Sequence, residues 1–179
     1  PIGEVLLEKG LKKEVVAEFY TAITRSPEVY KGIPFVIECA MAYGGQQAGD
    51  KPISLLRFAN RVPLLYQQSA CALTDAIKQV DWRRYNMEQK GNNLPSGSMR
   101  LVVHICSVWV PFVSESKEAV APYPEIIKET KLAIQDAGRK LSSYLAGKHR
   151  AGEAKRRIQI FERYSPEVAD ALSILTKRD

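Results

Sequence analysis

The sequence predicts an α+β fold, with a four-stranded mixed β-sheet and helices packed on one face of it. Three stretches carry this prediction. In residues 34–43 (PFVIECAMAY), large apolar side chains alternate with smaller or polar ones, the period of a strand with one buried face. Residues 99–110 (MRLVVHICSVWV) are apolar on both faces, as expected of a central strand. From Ile127 to Leu145, apolar residues recur at helical spacing, which indicates a long amphipathic helix.

The other elements before residue 99 are predicted from local patterns. Residues 4–14 place apolar side chains among charges and predict a short helix, and the β-branched and aromatic residues of 15–23 predict a strand. Residues 53–65 predict a further strand, interrupted near Pro63 because proline cannot donate a hydrogen bond to a sheet. Residues 69–80 have apolar side chains at helical spacing, so a helix is expected between this strand and the central one.

The segment after the central strand contains the long helix and its boundaries. A serine-rich turn is followed by a predicted short helical piece to about Ala121. Pro124 and Glu125 then mark a helix start, because proline is tolerated in the first turn and an acid is favoured at the positive end of the helix dipole. Gly138 inside this helix is expected to cost about 1 kcal/mol relative to alanine. Residues 165–167 (SPE) predict the start of a separate last helix.

Composition places the chain among ordinary globular proteins. Its 179 residues, 45% hydrophobic and 26% charged, suit one compact domain with an appendage. The net charge of +6 suits a polyanionic partner, although many proteins without one are as basic. Three unpaired cysteines predict a reducing compartment, and no apolar run approaches the length of a membrane span. Because the chain opens without methionine and enters a helical pattern at once, we expect it to start inside a longer protein.

Four stretches of the chain are similar to a known family. They are RFANRVPLLY at residues 57–66, WRRY at 82–85, VPFVSESKEAVA at 110–121 and RRIQIFERYSPEVADAL at 156–172. In this order, and with the intervening sequence, they resemble the B subunit of topoisomerase VI over essentially all 179 residues. The resemblance implies an ATP-hydrolysing type II DNA topoisomerase. Of this enzyme, the chain is expected to supply the transducer fragment, which relays ATP binding and hydrolysis to the DNA-cleaving A subunit during double-strand passage.

The resemblance also implies a domain organisation. Residues 1–13 are expected to end a helix-two-turns-helix domain, 14–146 to form the transducer domain with a left-handed β-α-β crossover, and 147–179 to form a basic stalk end and a C-terminal helix. ATP and Mg²⁺ are expected to bind a preceding N-terminal ATPase domain. The fragment alone is therefore expected to bind neither cofactor and to be inactive as a catalyst.

Lys117 is the residue to which the resemblance assigns a mechanistic role. In the family, a switch lysine in the VPFVSESKEA loop reaches the γ-phosphate of ATP. Lysine suits this task because it is a compact charge on a flexible stem. Ser114 and Ser116 are expected to hydrogen-bond the start of the following helix and so aim the loop. Without the resemblance, a solvated lysine at a helix N-terminus would be the simpler interpretation.

Two groups of basic residues are candidates for DNA contact. The resemblance implies that Trp82, Arg83, Arg84 and Tyr85 contact DNA, with Arg83 where the family has lysine. The alternative is that Trp82 and Tyr85 are core residues. The second group can be a DNA-facing stalk or a merely exposed helix face; it comprises Lys148, Arg150, Arg156 and Arg157.

An apolar stripe near the chain end is the candidate protein interface. The stripe consists of Phe161, Tyr164, Val168, Leu172 and Leu175, which recur at helical spacing. With little core left to pack against, such a stripe suits a partner. The resemblance names the A subunit for this role, and it further implies a second B subunit and double-stranded DNA as partners. It implies no membrane partner and a location in the cytoplasm, in the archaeal or bacterial nucleoid, or in the nucleus of a eukaryote.

Some residues and two alternative functions stay open. Arg57, Asn60 and Arg61 have no assigned role and are interpreted as a buried structural network. His104 and Cys106 share a strand face but lack a second ligand pair, so they are interpreted as core residues, and no metal site is predicted. One alternative function is a B-type partner of the meiotic break-forming machinery, against which Lys117 and its intact loop count. The other is a stand-alone basic nucleic-acid-binding module, supported by charge alone.

Overall fold

A computed structural model describes residues 1–45 and 49–176 of the chain. One mixed sheet has the strand order β1-β3-β6-β4-β5, with β2 also pairing with β3. The strands are β1 Phe19–Thr24, β2 Glu28–Tyr30, β3 Ile33–Tyr43, β4 Ser54–Ala59, β5 Val62–Pro63 and β6 Met99–Ser107. The helices are α1 Glu4–Glu14, α2 Ala72–Lys78 and α3 Pro124–Thr176, with short 3₁₀ turns at Gln68–Ala70 and Trp82–Tyr85.

The fold class predicted from the sequence is confirmed. The four expected strands are β1, β3, β4 and β6, and two short strands, β2 and β5, extend them. Strands β4 and β6 are parallel neighbours and the other pairs are antiparallel. Because α2 lies between β4 and β6 in the chain, these three elements form the expected β-α-β unit. The left-handed sense of this crossover stays an expectation of the resemblance.

The two faces of the sheet carry different side chains. One face has small residues, and α1 packs against it through Leu11; Leu11 and Val15, which follows the helix, cluster with Ala22, Ala40 and Ala42. Alanines allow the helix backbone to approach the strands closely. The opposite face carries large side chains that are at most 1% exposed, namely Ile37, Cys39, Met41, Leu101, Val103 and Ile105. We infer that the buried residues of α2 and α3 cover this second face, so α1 adds a layer on the face for which the sequence predicts no helix.

Burial has a chemical consequence for the strand cysteines. Cys39 is completely buried in β3, and burial raises the pKa of its thiol to about 12. A thiol held in this state is a core side chain and not a nucleophile. The three cysteines are all free.

Two helix predictions after the central strand are wrong. Residues 111–121 form no helix but a loop closed by a β-bridge between Phe112 and Val120. The separate helix expected to start at residues 165–167 is instead part of α3, which runs through Pro166 without a break. Proline inside a helix removes one backbone donor and crowds the carbonyl group four residues earlier, at a cost of about 3 kcal/mol. The residues on both sides of Pro166 retain helical geometry, so the local start signal does not divide the helix.

Contacts within the chain divide it into two units, Pro1–Ser142 and Ser143–Asp179. In the first unit, the buried residues of α3 include Ile126, Ala133, Ile134 and Leu141. In the second unit, every described residue from 148 to 176 is exposed. Within residues 1–45 and 49–176, no helix has the length and apolar content needed to cross a bilayer.

Packing requires glycine at position 138, although glycine lowers the stability of the helix itself. A Cβ added at Gly138 would lie 2.4 Å from Cζ of Tyr85, whose ring is itself buried. We expect Gly138→Ala to lower the free energy of unfolding by about 1–3 kcal/mol, because the buried ring would have to shift to make room for the methyl group. Urea denaturation measures this change.

The same helix supplies the matched control. Gly147 and Gly152 have no atom within 4 Å of an added Cβ. Alanine at either position should therefore not destabilise the chain, and helix propensity favours it by up to about 1 kcal/mol. A Gly138→Ala variant as stable as Gly147→Ala would contradict the packing role.

Candidate functional site

Lys117 lies on an exposed loop that a β-bridge closes at its base. The amide of Val113 donates to the carbonyl oxygen of Ala119 at 3.0 Å, beside the bridge between Phe112 and Val120. At the tip, Lys117 has a φ of 55°, a left-handed conformation that does not continue into a helix. The loop therefore presents the lysine on a tight turn.

Ser114 and Ser116 do not have the role predicted for them. Their hydroxyl oxygens are 2.7 Å apart and hydrogen-bond each other, and the carbonyl oxygen of Ser114 accepts the Lys117 amide at 3.2 Å. No helix follows for them to cap. They instead hold the turn that carries Lys117.

The Lys117 side chain borders an open cleft of about 400 Å³. Trp109, 70% exposed, and Val108, 83% exposed, form its apolar part. Among the residues that the structure describes, the Lys117 ammonium has no carboxylate within ion-pairing distance. The arrangement thus offers a cation and an exposed apolar surface side by side, with one acidic residue, Glu115, in the same lining.

Asn60 fixes the end of strand β6, where this loop begins. Its side-chain amide donates to the Ser107 carbonyl oxygen at 2.8 Å, and its side-chain oxygen accepts the Ser107 amide at 2.9 Å. Asn60 itself has a φ of 47° and Arg61 a φ of 69°, so the two form the tight turn between β4 and β5. Asparagine tolerates this left-handed conformation better than most residues.

Arg57 organises the rest of the RFANRVPLLY segment. Its guanidinium is buried, and Nη2 donates to the carbonyl oxygens of Leu64 at 3.0 Å and Tyr66 at 2.8 Å. These bonds tie the chain after β5 back onto β4. Arg57 and Asn60 therefore have structural roles, but the buried network interpreted from the sequence holds for Arg57 alone, because Asn60 and Arg61 are exposed. Sequence patterns could not reveal them, because the partners are backbone atoms.

The carboxylate of Glu38 is the centre of a buried polar cluster. One of its oxygens accepts the Gly3 amide at 2.7 Å and the Thr24 hydroxyl at 3.0 Å. The other accepts the Ile2 amide at 2.9 Å and faces Nδ1 of His104 at 2.7 Å. The two amides precede helix α1, so the carboxylate lies at the positive end of that helix. Glu38 was not singled out in the sequence, where it is simply one acid within a strand.

His104 connects this cluster to the β4–β5 turn. The backbone amide of Arg61 donates to Nε2 at 3.0 Å, so that nitrogen carries no hydrogen and Nδ1 donates to Glu38. Burial lowers the pKa of His104, and the hydrogen bond and charge of Glu38 oppose this effect without cancelling it. His104 is thus a neutral, hydrogen-bonded core residue. The described residues contain no group of three or more His, Cys, Asp or Glu able to hold a metal ion.

The WRRY segment divides into buried aromatic and exposed basic residues. Trp82 is 0% and Tyr85 7% exposed; their rings meet edge to face, and Nε1 of Trp82 donates to the Ile77 carbonyl oxygen at 2.7 Å. Arg83 and Arg84 are exposed, and Arg84 pairs with Asp81 at 3.1 Å. The core interpretation therefore applies to the aromatic pair, and only the arginines are placed to contact a partner.

The second unit carries the remaining candidate residues. Lys148, Arg150, Arg156 and Arg157 are all exposed. The stripe residues are exposed as well, at 74% for Phe161, 56% for Leu172 and 65% for Leu175. Because α3 is one regular helix here, the side of the helix that carries Phe161 also carries Tyr164, Val168, Leu172 and Leu175. The stripe is therefore a continuous apolar surface without cover inside its own unit.

Comparisons with known proteins identify the family. A family model for the topoisomerase VI B subunit transducer matches residues 1–157. The B subunit of type 2 DNA topoisomerase 6 from Natronomonas pharaonis is 50% identical over 181 residues, covering 100% of this chain and 23% of that protein. This chain belongs to the topoisomerase VI B subunit transducer family.

Other members of this family extend the comparison. The corresponding B subunits from Methanococcoides burtonii and Pyrococcus furiosus are each 45% identical, over 100% and 98% of this chain and 29% and 30% of their own lengths. The chain thus spans between about a quarter and a third of the curated relatives. A structure of the DNA gyrase B-subunit from Myxococcus xanthus is more distant, with 16% identity and a TM-score of 0.42 over 68% of this chain and 34% of that one.

In this transducer, we expect Glu38→Gln to lower the free energy of unfolding by about 2–4 kcal/mol. The glutamine amide group would turn a donor toward groups that are themselves donors. Urea denaturation measures the change. Glu8→Gln is the control: Glu8 is half-buried, its described ion pair is with Lys12, and the variant should stay within about 0.5 kcal/mol of wild type.

The pH dependence of stability provides a second readout of this cluster. Burial raises the pKa of Glu38, but hydrogen bonds from Ile2, His104, Gly3 and Thr24 outweigh it, so the pKa lies below its ordinary 4.5. The pKa of His104 lies below its ordinary 6.5. Both groups bind protons more tightly when unfolded, so stability should fall as pH drops below 6.5 and again below 4.5. Glu38→Gln should lack the lower step, and an unchanged profile would contradict the assignment.

Proposed function

We propose that this chain is the transducer part of the B subunit of an ATP-dependent type II DNA topoisomerase, and that it relays ATP binding and hydrolysis to a DNA-cleaving A subunit during double-strand passage. Family membership supports the parent enzyme, since the relatives are named as type 2 DNA topoisomerase 6 B subunits. The observation that carries the relay is the exposed Lys117, held on a closed turn without a carboxylate partner in the described part of the chain. No observation favours the meiotic partner or the stand-alone binding module.

Lys117 is the proposed sensor of the nucleotide. Its ammonium can cross to a phosphate oxygen of ATP bound by another domain of the complete subunit, which supplies the nucleotide site and the ligands of Mg²⁺. Its fit to a phosphate comes from three features, namely exposure, a single positive charge, and a turn that fixes the backbone beneath it. The apolar cleft surface of Val108 and Trp109 next to it suits contact with that domain.

A relay follows from how the Lys117 loop is attached. The loop continues directly from β6, whose end is held by Asn60, and it leads into α3 after only a few residues. Gain or loss of a phosphate contact at Lys117 would therefore bias an element joined to both the sheet and the long helix. In this proposal, hydrolysis removes the contact and lets the two domains reorient.

The relay is tested by Lys117→Ala in the complete enzyme. We expect ATP turnover to fall by about 100-fold, because the lost charge acts on the phosphate as negative charge develops. Strand passage should fall with it. The fold should be unaffected, since the side chain is exposed and alanine keeps the Cβ at the positive φ.

The control for Lys117 is Lys9→Ala, which removes an exposed lysine from helix α1. ATP hydrolysis and plasmid relaxation are measured side by side for both variants. Wild-type turnover in Lys117→Ala would refute the sensor role. A loss in Lys9→Ala as large as in Lys117→Ala would attribute the effect to net charge.

DNA contact is the proposed role of the exposed arginines of the WRRY segment and of the basic residues of the second unit. Arg83 and Arg84 lie on a turn whose two aromatic residues are buried, so the backbone that carries the two cations is held in place. Arginine and lysine side chains neutralise phosphates without reading sequence. The second basic group is Lys148, Arg150, Arg156 and Arg157.

The apolar stripe of the second unit is the proposed binding surface for the A subunit. Five apolar side chains on one side of an exposed helix are the pattern by which a helix packs into a partner. Soluble proteins normally cover an apolar surface of this extent. A second B subunit is a further proposed partner of the complete enzyme, and the cytoplasmic location stays a prediction.

We expect Phe161→Asp with Leu172→Asp to abolish co-purification of the A subunit. Two carboxylates in the stripe would have to lose their hydration on binding. The free chain should unfold at an unchanged temperature, because both side chains are exposed. A pull-down of the complete B subunit with the A subunit measures the loss.

Helix α3 provides a matched control on another side. Ile160 and Ile174 are also exposed, at 51% and 72%, but their helical positions lie off the stripe. Ile160→Asp with Ile174→Asp should retain the A subunit. Equal loss in both double variants would mean that the stripe has no special role. Retention in the Phe161 and Leu172 variant would place the interface elsewhere.

A further inference from the structure

A second cleft, distinct from the Lys117 loop, lies beside helix α2. Its volume is about 660 Å³, and its walls come from the 3₁₀ turn before α2, from α2 itself and from the segment 90–96. Pro52 and Ser96, which form a β-bridge with each other, also line the cleft. The polar lining residues that matter are Gln68, Ser69, Thr74, Lys78, Lys90 and Ser96.

The charged residues that line this cleft are positive. Lys78 and Lys90 both line it, and the described lining contains no carboxylate. The Lys78 side chain is only 18% exposed, and its nearest acid, Asp75, is 3.9 Å away, at the outer limit of an ion pair. Lys90 forms no ion pair within the part of the chain that the structure describes. Two ammonium groups without full compensation favour an anion between them.

The hydroxyl of Thr74 is an independent sign of a ligand. Thr74 lines the cleft and is 1% exposed, yet its Oγ1 has no hydrogen-bond partner among the described residues. A buried hydroxyl normally finds a partner, and leaving it unpaired costs about 1–3 kcal/mol in protein variants. An oxygen-rich ligand in the cleft would accept this hydrogen after a rotation about χ1, since the hydroxyl oxygen is itself buried.

We propose that the cleft binds one phosphate-type oxyanion, held by the ammonium groups of Lys78 and Lys90 and by the Thr74 hydroxyl. Charge-assisted hydrogen bonds from lysine and a hydroxyl donor are the contacts that such oxygens require. The anion is either a phosphate in the backbone of a nucleic acid or the phosphate of a phosphorylated small molecule. This site does not rest on the role of Lys117 or on the A-subunit interface.

Inorganic phosphate is the probe, and local hydrogen–deuterium exchange in the complete B subunit is the readout. A local readout separates this cleft from any phosphate bound by an ATPase domain. Phosphate should slow exchange in segments 69–80 and 88–98 of the wild type. Lys78→Gln with Lys90→Gln should weaken this protection at least tenfold in phosphate concentration, whereas Lys9→Gln should leave it unchanged.

Thr74→Val is the second variant, and it keeps the shape of the side chain. It should also weaken phosphate protection, while its thermal stability without phosphate should equal or exceed that of the wild type, because an unpaired hydroxyl is removed. Thr74→Val therefore keeps the test decisive if the lysine double variant fails to fold. Absence of protection in the wild type, or wild-type protection in both variants, would overturn the proposal.

The source of the anion is decided with a short DNA duplex. The slope of log affinity against log salt should fall by about one per lost phosphate contact. Arg83→Glu with Arg84→Glu serves as the reference for lost contacts outside the cleft. If Lys78→Gln with Lys90→Gln lowers the slope as well, the cleft takes a DNA phosphate. If it loses phosphate protection with an unchanged slope, the cleft takes a free phosphorylated molecule.

Discussion

The rest of the first unit depends on the buried carboxylate of Glu38. A charge with no exposed surface is tolerated only when donors surround it, and four donors do so here. They come from the segment before α1, from β1 and from β6. Because the carboxylate cannot be satisfied by any one of these segments, all of them must be in place together. The cluster therefore sets where α1 begins against the sheet and how the strands align.

The same constraint extends toward the Lys117 loop through direct contacts. His104 donates one hydrogen bond to Glu38 and accepts another from the β4–β5 turn. That turn places Asn60 against Ser107, the last residue of β6. The loop starts at that point. The buried Glu38 cluster and the exposed Lys117 loop are thus connected near the end of β6. The RFANRVPLLY segment makes this connection, which gives a structural reason for its polar residues.

Helix α3 meets two different environments along its length. In the first unit it is packed so closely that Gly138 leaves room only for the ring of Tyr85. In the second unit its side chains are exposed, and an apolar stripe lies among basic residues. Tertiary packing stabilises α3 in the first unit, and in the second unit the exposed surface of α3 is available to partners. The proposed contact with an A subunit would cover that surface.

The sequence by itself determined the elements whose burial follows a simple period. Helix α1 has the predicted bounds, β3 and the start of β6 were predicted correctly, and α3 begins at the predicted Pro124. Local pattern suffices there, because each residue's environment repeats along the element. Only the tertiary structure decided the loop at residues 111–121, the continuity through Pro166, the packing at Gly138 and the Glu38 cluster. These depend on partners far apart in the chain, such as Glu38 and His104, which are 66 positions apart. Short-range periodicity carries no information about such contacts, because they exist only after strands and helices have been brought together.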